Sequence, residues 1–270
     1  MNREAHSLLV QRLVETFHHN TLYTPATLRE PLPKPDVPQP GELHDPAALP
    51  FIALPRLPER QDLGMSVQDA IVKRRSVRAY SSRPMPQDLL GRFLAVCAQV
   101  ELFPDHDVFC GEEHRPILQW LHFYAFLWGV EGLQQGTYRY DPRRHGLILL
   151  DSEPTRDSAH RSIFQKEFCT GTGILLLAGD LTSVLMAYGQ RGYRYLLMQA
   201  GLIGETAYLA GTALGIGVCA NGGLRELTAQ RHARLDGLHR DVIWTLAFGL
   251  IPDRDETGPA DHIVREEQYA

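Results

Sequence analysis

The chain has 270 residues, a formal net charge of −5 and 44% hydrophobic residues. That length supplies apolar material for one large domain or two small ones. The acidic balance lacks the basic excess of nucleic-acid binders, so no nucleic acid is expected as a partner. Cys97, Cys110, Cys169 and Cys219 are widely spaced with no CxxC pair. This argues against a disulfide framework or zinc knuckle and for buried free thiols in a reducing compartment. The start MNREAHSLLVQRL has no long apolar run, and GILLLAG at 173–179 is too short to span a bilayer. A soluble cytoplasmic protein that binds no membrane is expected.

In chain order, residues 4–17 carry Leu8, Leu9, Leu13, Val14 and Phe17 at helical spacing and predict a short amphipathic helix. Residues 25–58 hold ten of the 18 prolines and predict an extended arm, because proline fixes φ and removes a backbone donor. Residues 1–60 are therefore expected as a helix and arm, and 61–270 as the main domain. Ser66 is a predicted N-cap, with Asp69 in the first turn of a helix running to Lys73 or Arg74. Pro86 opens a second helix with Leu89, Leu90, Phe93, Leu94 and Cys97 on one face. Residues 101–116 are polar and irregular. Strands are predicted over 121–128, then over 136–141 and 145–151 as a hairpin about a Pro-Arg-Arg turn. A helix over 158–170 and a buried strand over 173–180 follow. The stretch 192–213 mixes Leu196, Ile203 and Tyr208 with Ala200, Gly204 and Ala207, predicting a long buried helix that stops at Gly215 and Gly217. A last central strand is expected over 242–250. This irregular interleaving predicts an α+β fold with a mainly antiparallel sheet.

Common catalytic motifs are missing: there is no GxGxxG, P-loop, GxSxG or HExxH, and the 12 histidines are scattered. No metal is expected. What stands out is AIVKRRSVRAYSSRPMP at 70–86, where Arg74, Arg75 and Arg78 surround Ser76. Arg74 and Arg78, four apart, share a face if the helix continues. Guanidinium groups are planar, forked and permanently charged, which suits the oxygens of a small anion. The competing reading is a solvated basic face complementing a helix C-terminus.

The order of helix, Arg-Arg-Ser-x-Arg-x-Tyr, Pro, and Leu-Leu in the next helix resembles the opening of the nitroreductase family of FMN-dependent flavoproteins. FHHNTLY at 17–23, VEGLQQGTYRYDPRRHGL at 130–146 and YGQRGYRYLLMQAG at 188–201 resemble its SagB/McbC-type azoline oxidase branch. ANGGL at 220–224 matches a glycine pair beside the flavin. The resemblance implies a central, mainly antiparallel sheet flanked by helices, in an interlocked homodimer with each flavin at the interface. It implies Arg74, Arg75, Ser76, Arg78, Arg115, Gly222, Gly223 and Arg254 as FMN contacts. It implies Tyr188 and Arg191 as catalytic residues, an azoline-bearing peptide as substrate and a cyclodehydratase subunit as a further partner. The branch's usual lysine is Ala187 here, its Pro-Ser-x-Gly is Pro116–Gln119, and its histidine after Ala-Gly is Leu202. Three activities therefore stand: azoline oxidation, NAD(P)H-dependent reduction of nitro groups, quinones or dehydroamino acids, and a non-catalytic scaffold.

Overall fold

The computed structural model describes residues 12–18, 21, 49–57, 62–98, 120–153 and 155–252. After a helical segment over residues 12–18 come β1 (Phe51–Ala53), α1 (Val67–Lys73), α2 (Gln87–Ala98), β2 (Leu121–Leu127), β3 (Gly136–Asp141) and β4 (Gly146–Asp151). Next are α3 (Thr155–Ser162), a 3₁₀ turn (Lys166–Thr170), β5 (Gly173–Asp180), α4 (Leu181–Tyr188) and a 3₁₀ turn (Gly189–Arg191). The chain continues through α5 (Gly192–Leu214), β6 (Ile216–Asn221), α6 (Glu226–Ala233) and β7 (Arg240–Leu250). The seven strands form one sheet in the order β1-β4-β3-β2-β5-β7-β6, and every strand pair is antiparallel. The α+β fold expected from the sequence is the fold observed.

Side chains of successive strand residues point to opposite faces. Along β5, Leu175 and Leu177 enter one apolar core while Ile174, Leu176 and Ala178 enter another. Both faces are covered, so the strand reads as an unbroken apolar run. On the first face Phe93 and Leu94 of α2 and Leu196, Ile203 and Ala207 of α5 pack against Phe123, Leu246 and Phe248. On the second face Ala159 of α3 and Ala229 and Ala233 of α6 pack against Phe126 and Ala247. Cys97, Cys169 and Cys219 are free and buried; burial pushes the Cys169 thiol up to about 11.

Local signals explain the element ends. The Ser66 hydroxyl caps α1 by accepting from Asp69 N at 3.0 Å. Asp141 builds the β3–β4 turn, accepting from Arg143 N at 3.0 Å, Arg144 N at 3.1 Å and Arg144 Nε at 2.7 Å. Gly215 ends α5 at φ 73°, a left-handed conformation that glycine adopts without a Cβ penalty.

Two expectations are corrected. The predicted helix over 158–170 is broken: α3 stops at Ser162, because Ile163 pairs with Leu224 and Phe164 N donates to Gly223 O at 3.0 Å. Strand-like pairing with a distant segment overrides helical spacing there. Arg74 and Arg78 do not share a helix face either. Arg74 already has φ −52° and ψ 128°, and Ser76 pairs with Val218. Within the proline-rich stretch, Phe51–Ala53 form β1 and pair with β4.

Candidate functional site

After α1 the chain turns extended and runs along the free edge of β6. Ser76 bridges Val218 in parallel, and Val77 N donates to Val218 O at 3.0 Å. Gly217 makes this approach possible, since a Cβ there would lie 2.5 Å from Val77 Cγ1. The arginine cluster is thus strung along a sheet edge. Arg74 is half-buried, with its guanidinium carbon 5.0 Å from the centre of the Tyr208 ring. Arg75 and Arg78 are exposed; Arg75 Nη1 folds back onto Val72 O at 2.8 Å and Arg74 O at 2.7 Å. Ser76 Oγ lies 3.2 Å from Tyr208 Oη, which accepts from Ala220 N at 2.7 Å. Burial raises the Cys219 thiol above its ordinary range, opposed by Arg78 and by hydrogen bonds to Tyr208 and Ser76.

The segment runs in the same direction as β6, toward Gly222 and Gly223 at that strand's end. Asn221, 3% exposed, shapes this turn: its Oδ1 accepts from Gly223 N at 2.7 Å. Gly222 is exposed, and a Cβ there would meet no heavy atom within 4 Å, whereas a Cβ on Gly223 would lie 2.5 Å from Gln165 Oε1. Two of the expected anion contacts, Arg115 and Arg254, lie outside the described residues. The remaining set offers three guanidinium groups, one hydroxyl and an uncovered glycine backbone, which is the donor chemistry a phosphate monoester needs.

A second cluster sits where α4 meets α5. Tyr188, the last residue of α4, packs edge-on against Trp120 at 5.1 Å and against Tyr195 at 5.1 Å. Arg191, in the joint between the helices, donates from Nε to Tyr195 Oη at 3.0 Å and from Nη1 to Thr21 O at 2.7 Å. The described contacts therefore link Arg191 to Tyr188 through Tyr195. Tyr195 and Tyr208 stand 13 positions apart on α5, about 20 Å along the axis. Within one chain the aromatic cluster and the arginine cluster lie at opposite ends of one helix.

Sequence reasoning missed three contributors. Tyr208 was legible only as a core residue of α5, yet it joins Arg74, Ser76 and β6. Thr21 and Arg194 lie in the stretches 17–23 and 188–201 but have no role assigned from sequence, and Arg194 Nε donates to Thr21 Oγ1 at 2.5 Å. Elsewhere, His122 Nε2 and Arg240 Nε are buried without a hydrogen-bond partner. Burial, then the nearby Arg240 and Arg139, hold His122 down at about 4. Among the described residues no group of three or more His, Cys, Asp or Glu could hold a metal ion, and no helix is long and apolar enough to cross a membrane.

The nitroreductase family model matches residues 71–250. The chain is 29% identical over 168 residues to MJ1384 of Methanocaldococcus jannaschii, a protein named as a nitroreductase, across 62% of this chain and 82% of that one. Its fold is similar to that of a structure from Anabaena variabilis described in the same terms, at a TM-score of 0.69 and 23% identity. That match covers 89% of this chain and 47% of the Anabaena chain, so this chain spans about half the length of that relative. It is also similar to a chain of the E. coli microcin synthetase McbBCD complex with truncated pro-MccB17 bound, at a TM-score of 0.55 and 17% identity, over 94% and 95% of the two chains.

Proposed function

Because this chain belongs to the nitroreductase family of flavoprotein oxidoreductases, we propose that it is an FMN-dependent oxidase of thiazoline or oxazoline rings in a peptide. The observation that supports the cofactor is the Arg74–Arg78 segment on the β6 edge, a set of guanidinium and hydroxyl donors running toward the uncovered Gly222 at the end of that strand. Arg74, Arg75 and Arg78 would hold the phosphate, Ser76 would add a hydroxyl donor, and Gly222 would let the ligand approach the backbone, with Gly223 shaping the turn beside Gln165. The azoline substrate is favoured by the resemblance of residues 130–146 and 188–201 to the azoline oxidase branch. The fold's likeness to a chain of a microcin synthetase complex bound to truncated pro-MccB17, over nearly the full length of both, supports a peptide substrate and partner subunits, and the branch resemblance makes a cyclodehydratase the partner proposed.

Aromatising an azoline removes a proton from one ring carbon and a hydride from another. When bound, FMN would supply the two-electron acceptor for that hydride, with oxygen as the final oxidant. The chain's own residues place the ring and receive the proton. In this reading the Tyr188 phenolate takes the proton at Oη and becomes the phenol, with Tyr195 packed on its ring and Arg191 holding Tyr195. Holding that base in line with the ring hydrogen is how this chain would contribute to the rate.

The 20 Å between the clusters supports a homodimer. Leu197, Met198 and Leu202 are 44%, 59% and 44% exposed midway along α5. A two-fold axis there would set one chain's arginines beside the partner's aromatic cluster. The deciding experiment is the visible spectrum of the fresh protein, with the released ligand identified by chromatography. One FMN per chain, bleached anaerobically by a thiazoline peptide, is the expected result. Bleaching by NAD(P)H alone would favour the reductase. A colourless protein that takes up no FMN would leave the scaffold.

A further inference from the structure

Thr21 is 1% exposed, although Leu13 and Val14 of the helical segment before it are 60% and 63% exposed. Its hydroxyl donates to Phe17 O at 2.7 Å and accepts from Arg194 Nε at 2.5 Å. Its carbonyl accepts from Arg191 Nη1 at 2.7 Å. Arg194 Nη2 also donates to His18 O at 2.8 Å, and its guanidinium lies 5.8 Å from the Phe17 ring centre. The Phe17 ring meets Tyr193 edge-on at 5.7 Å. These contacts span about 170 residues of sequence, so their closure entropy must be offset by charge-assisted bonds in a shielded place.

The gripped residues, Arg191 and Arg194, flank the start of α5. Arg191 closes the 3₁₀ joint that carries Tyr188 into α5, and Gly189 in that joint has φ 56°. Arg191 also donates to Tyr195 Oη, and the Tyr195 ring packs on Tyr188. A continuous path therefore runs from Thr21 through Arg191 and Tyr195 to Tyr188.

We propose that Thr21, with Phe17 and His18, is an N-terminal strap that positions Tyr188 for proton transfer by clamping the joint between α4 and α5. Thr21 is a positioning residue, since it reaches the reacting atoms only through Arg191 and Tyr195. The proposal rests on the reading of Tyr188 as the proton acceptor. The strap bonds to Arg191 and Arg194 and to none of Arg74, Arg75, Ser76 or Arg78, so in the proposed homodimer too its loosening is expected to leave the phosphate contacts of FMN in place.

The test uses full-length protein and compares wild type, Thr21→Val and Thr21→Ser. Valine keeps the volume but removes the hydroxyl that bonds Arg194 and Phe17 O, and with it the anchor that holds the Thr21 carbonyl against Arg191; serine keeps the hydroxyl. For a synthetic peptide carrying one thiazoline, Thr21→Val is expected to retain FMN content and KM within twofold while kcat falls about tenfold or more. Thr21→Ser is expected to restore kcat. Hydrogen exchange gives a readout independent of turnover: amides over 189–195 should exchange faster in Thr21→Val, with those of β5 unchanged. An unchanged kcat and unchanged exchange in Thr21→Val would overturn the strap. So would equal loss in the valine and serine variants together with loss of FMN. A wild type that the thiazoline peptide does not bleach marks failure of the functional reading, and the strap is then judged on exchange alone.

Discussion

Arg74 and Arg78 flank Ser76 on a sheet edge, and their environments differ. Arg74 stacks on Tyr208, while Arg78 is exposed. Charge-assisted bonds of the kind Arg78 offers contribute about 1.5–3 kcal/mol each. Arg78→Met is therefore expected to weaken FMN binding by about 10- to 150-fold with stability unchanged, measured by titrating FMN fluorescence. An affinity within twofold of wild type would remove Arg78 from the phosphate site. For Tyr188, Tyr188→Phe keeps the ring packing against Trp120 and Tyr195 and deletes only the hydroxyl. Azoline turnover should fall by about 100-fold or more while FMN stays bound. Full turnover in that variant would pass the proton to another group. The arginine–serine pattern was legible in the sequence because its chemistry is local. Tyr208 and Thr21 were not, because their roles depend on partners far away in the chain.

At the scale of elements, α4 and α5 meet at Gly192. A Cβ there would lie 2.4 Å from Val184 O, a backbone atom with no freedom to swing away. Gly192→Ala must push α4 off α5, which costs about 1–3 kcal/mol by overpacking. A urea unfolding midpoint lowered accordingly is the expected result, and an unchanged midpoint would show that the helices separate freely. The hairpin of β3 and β4 and the strands β5 and β7 were readable from period-2 alternation and from short apolar runs. The end of α3 was not: residues 158–170 keep a helical composition, but pairing of Ile163 with Leu224 draws the chain away. The extended path after α1 was hidden for the same reason, since its pairing partner is β6, more than a hundred residues on.

For the whole molecule, His122 and Asp236 are two of the groups that make stability fall in acid. His122 is held at about 4, chiefly by burial, so the unfolded chain binds its proton first as pH falls. Its contribution is intact above about 6.5 and is lost on descent toward 4. This predicts about 2 kcal/mol less stability at pH 5 than at pH 7, and His122→Gln should flatten that difference in urea titrations. Asp236 acts lower: burial alone would raise it, but backbone bonds from Arg240 and the His239 side chain bring it to about 2. Its contribution is present above the ordinary aspartate value and disappears toward pH 2. The exposed α5 face offers a separate test. If the chain forms the proposed homodimer, Leu202→Glu buries a charge at its centre and should give a monomer by light scattering, with FMN lost. A monomeric wild type would refute the shared site.

By itself the sequence determined the α+β class, the places of most strands and helices, and the local chemistry of the arginine segment. Each of these is written in short-range patterns: alternation, helical spacing, caps and adjacent donors. Only the tertiary structure decided that this segment is a sheet edge, that Tyr188 meets Trp120 and Tyr195, and that Thr21 is held by Arg191 and Arg194. Those arrangements join residues with no common periodicity, so packing and long-range hydrogen bonds, which no local pattern encodes, fixed them.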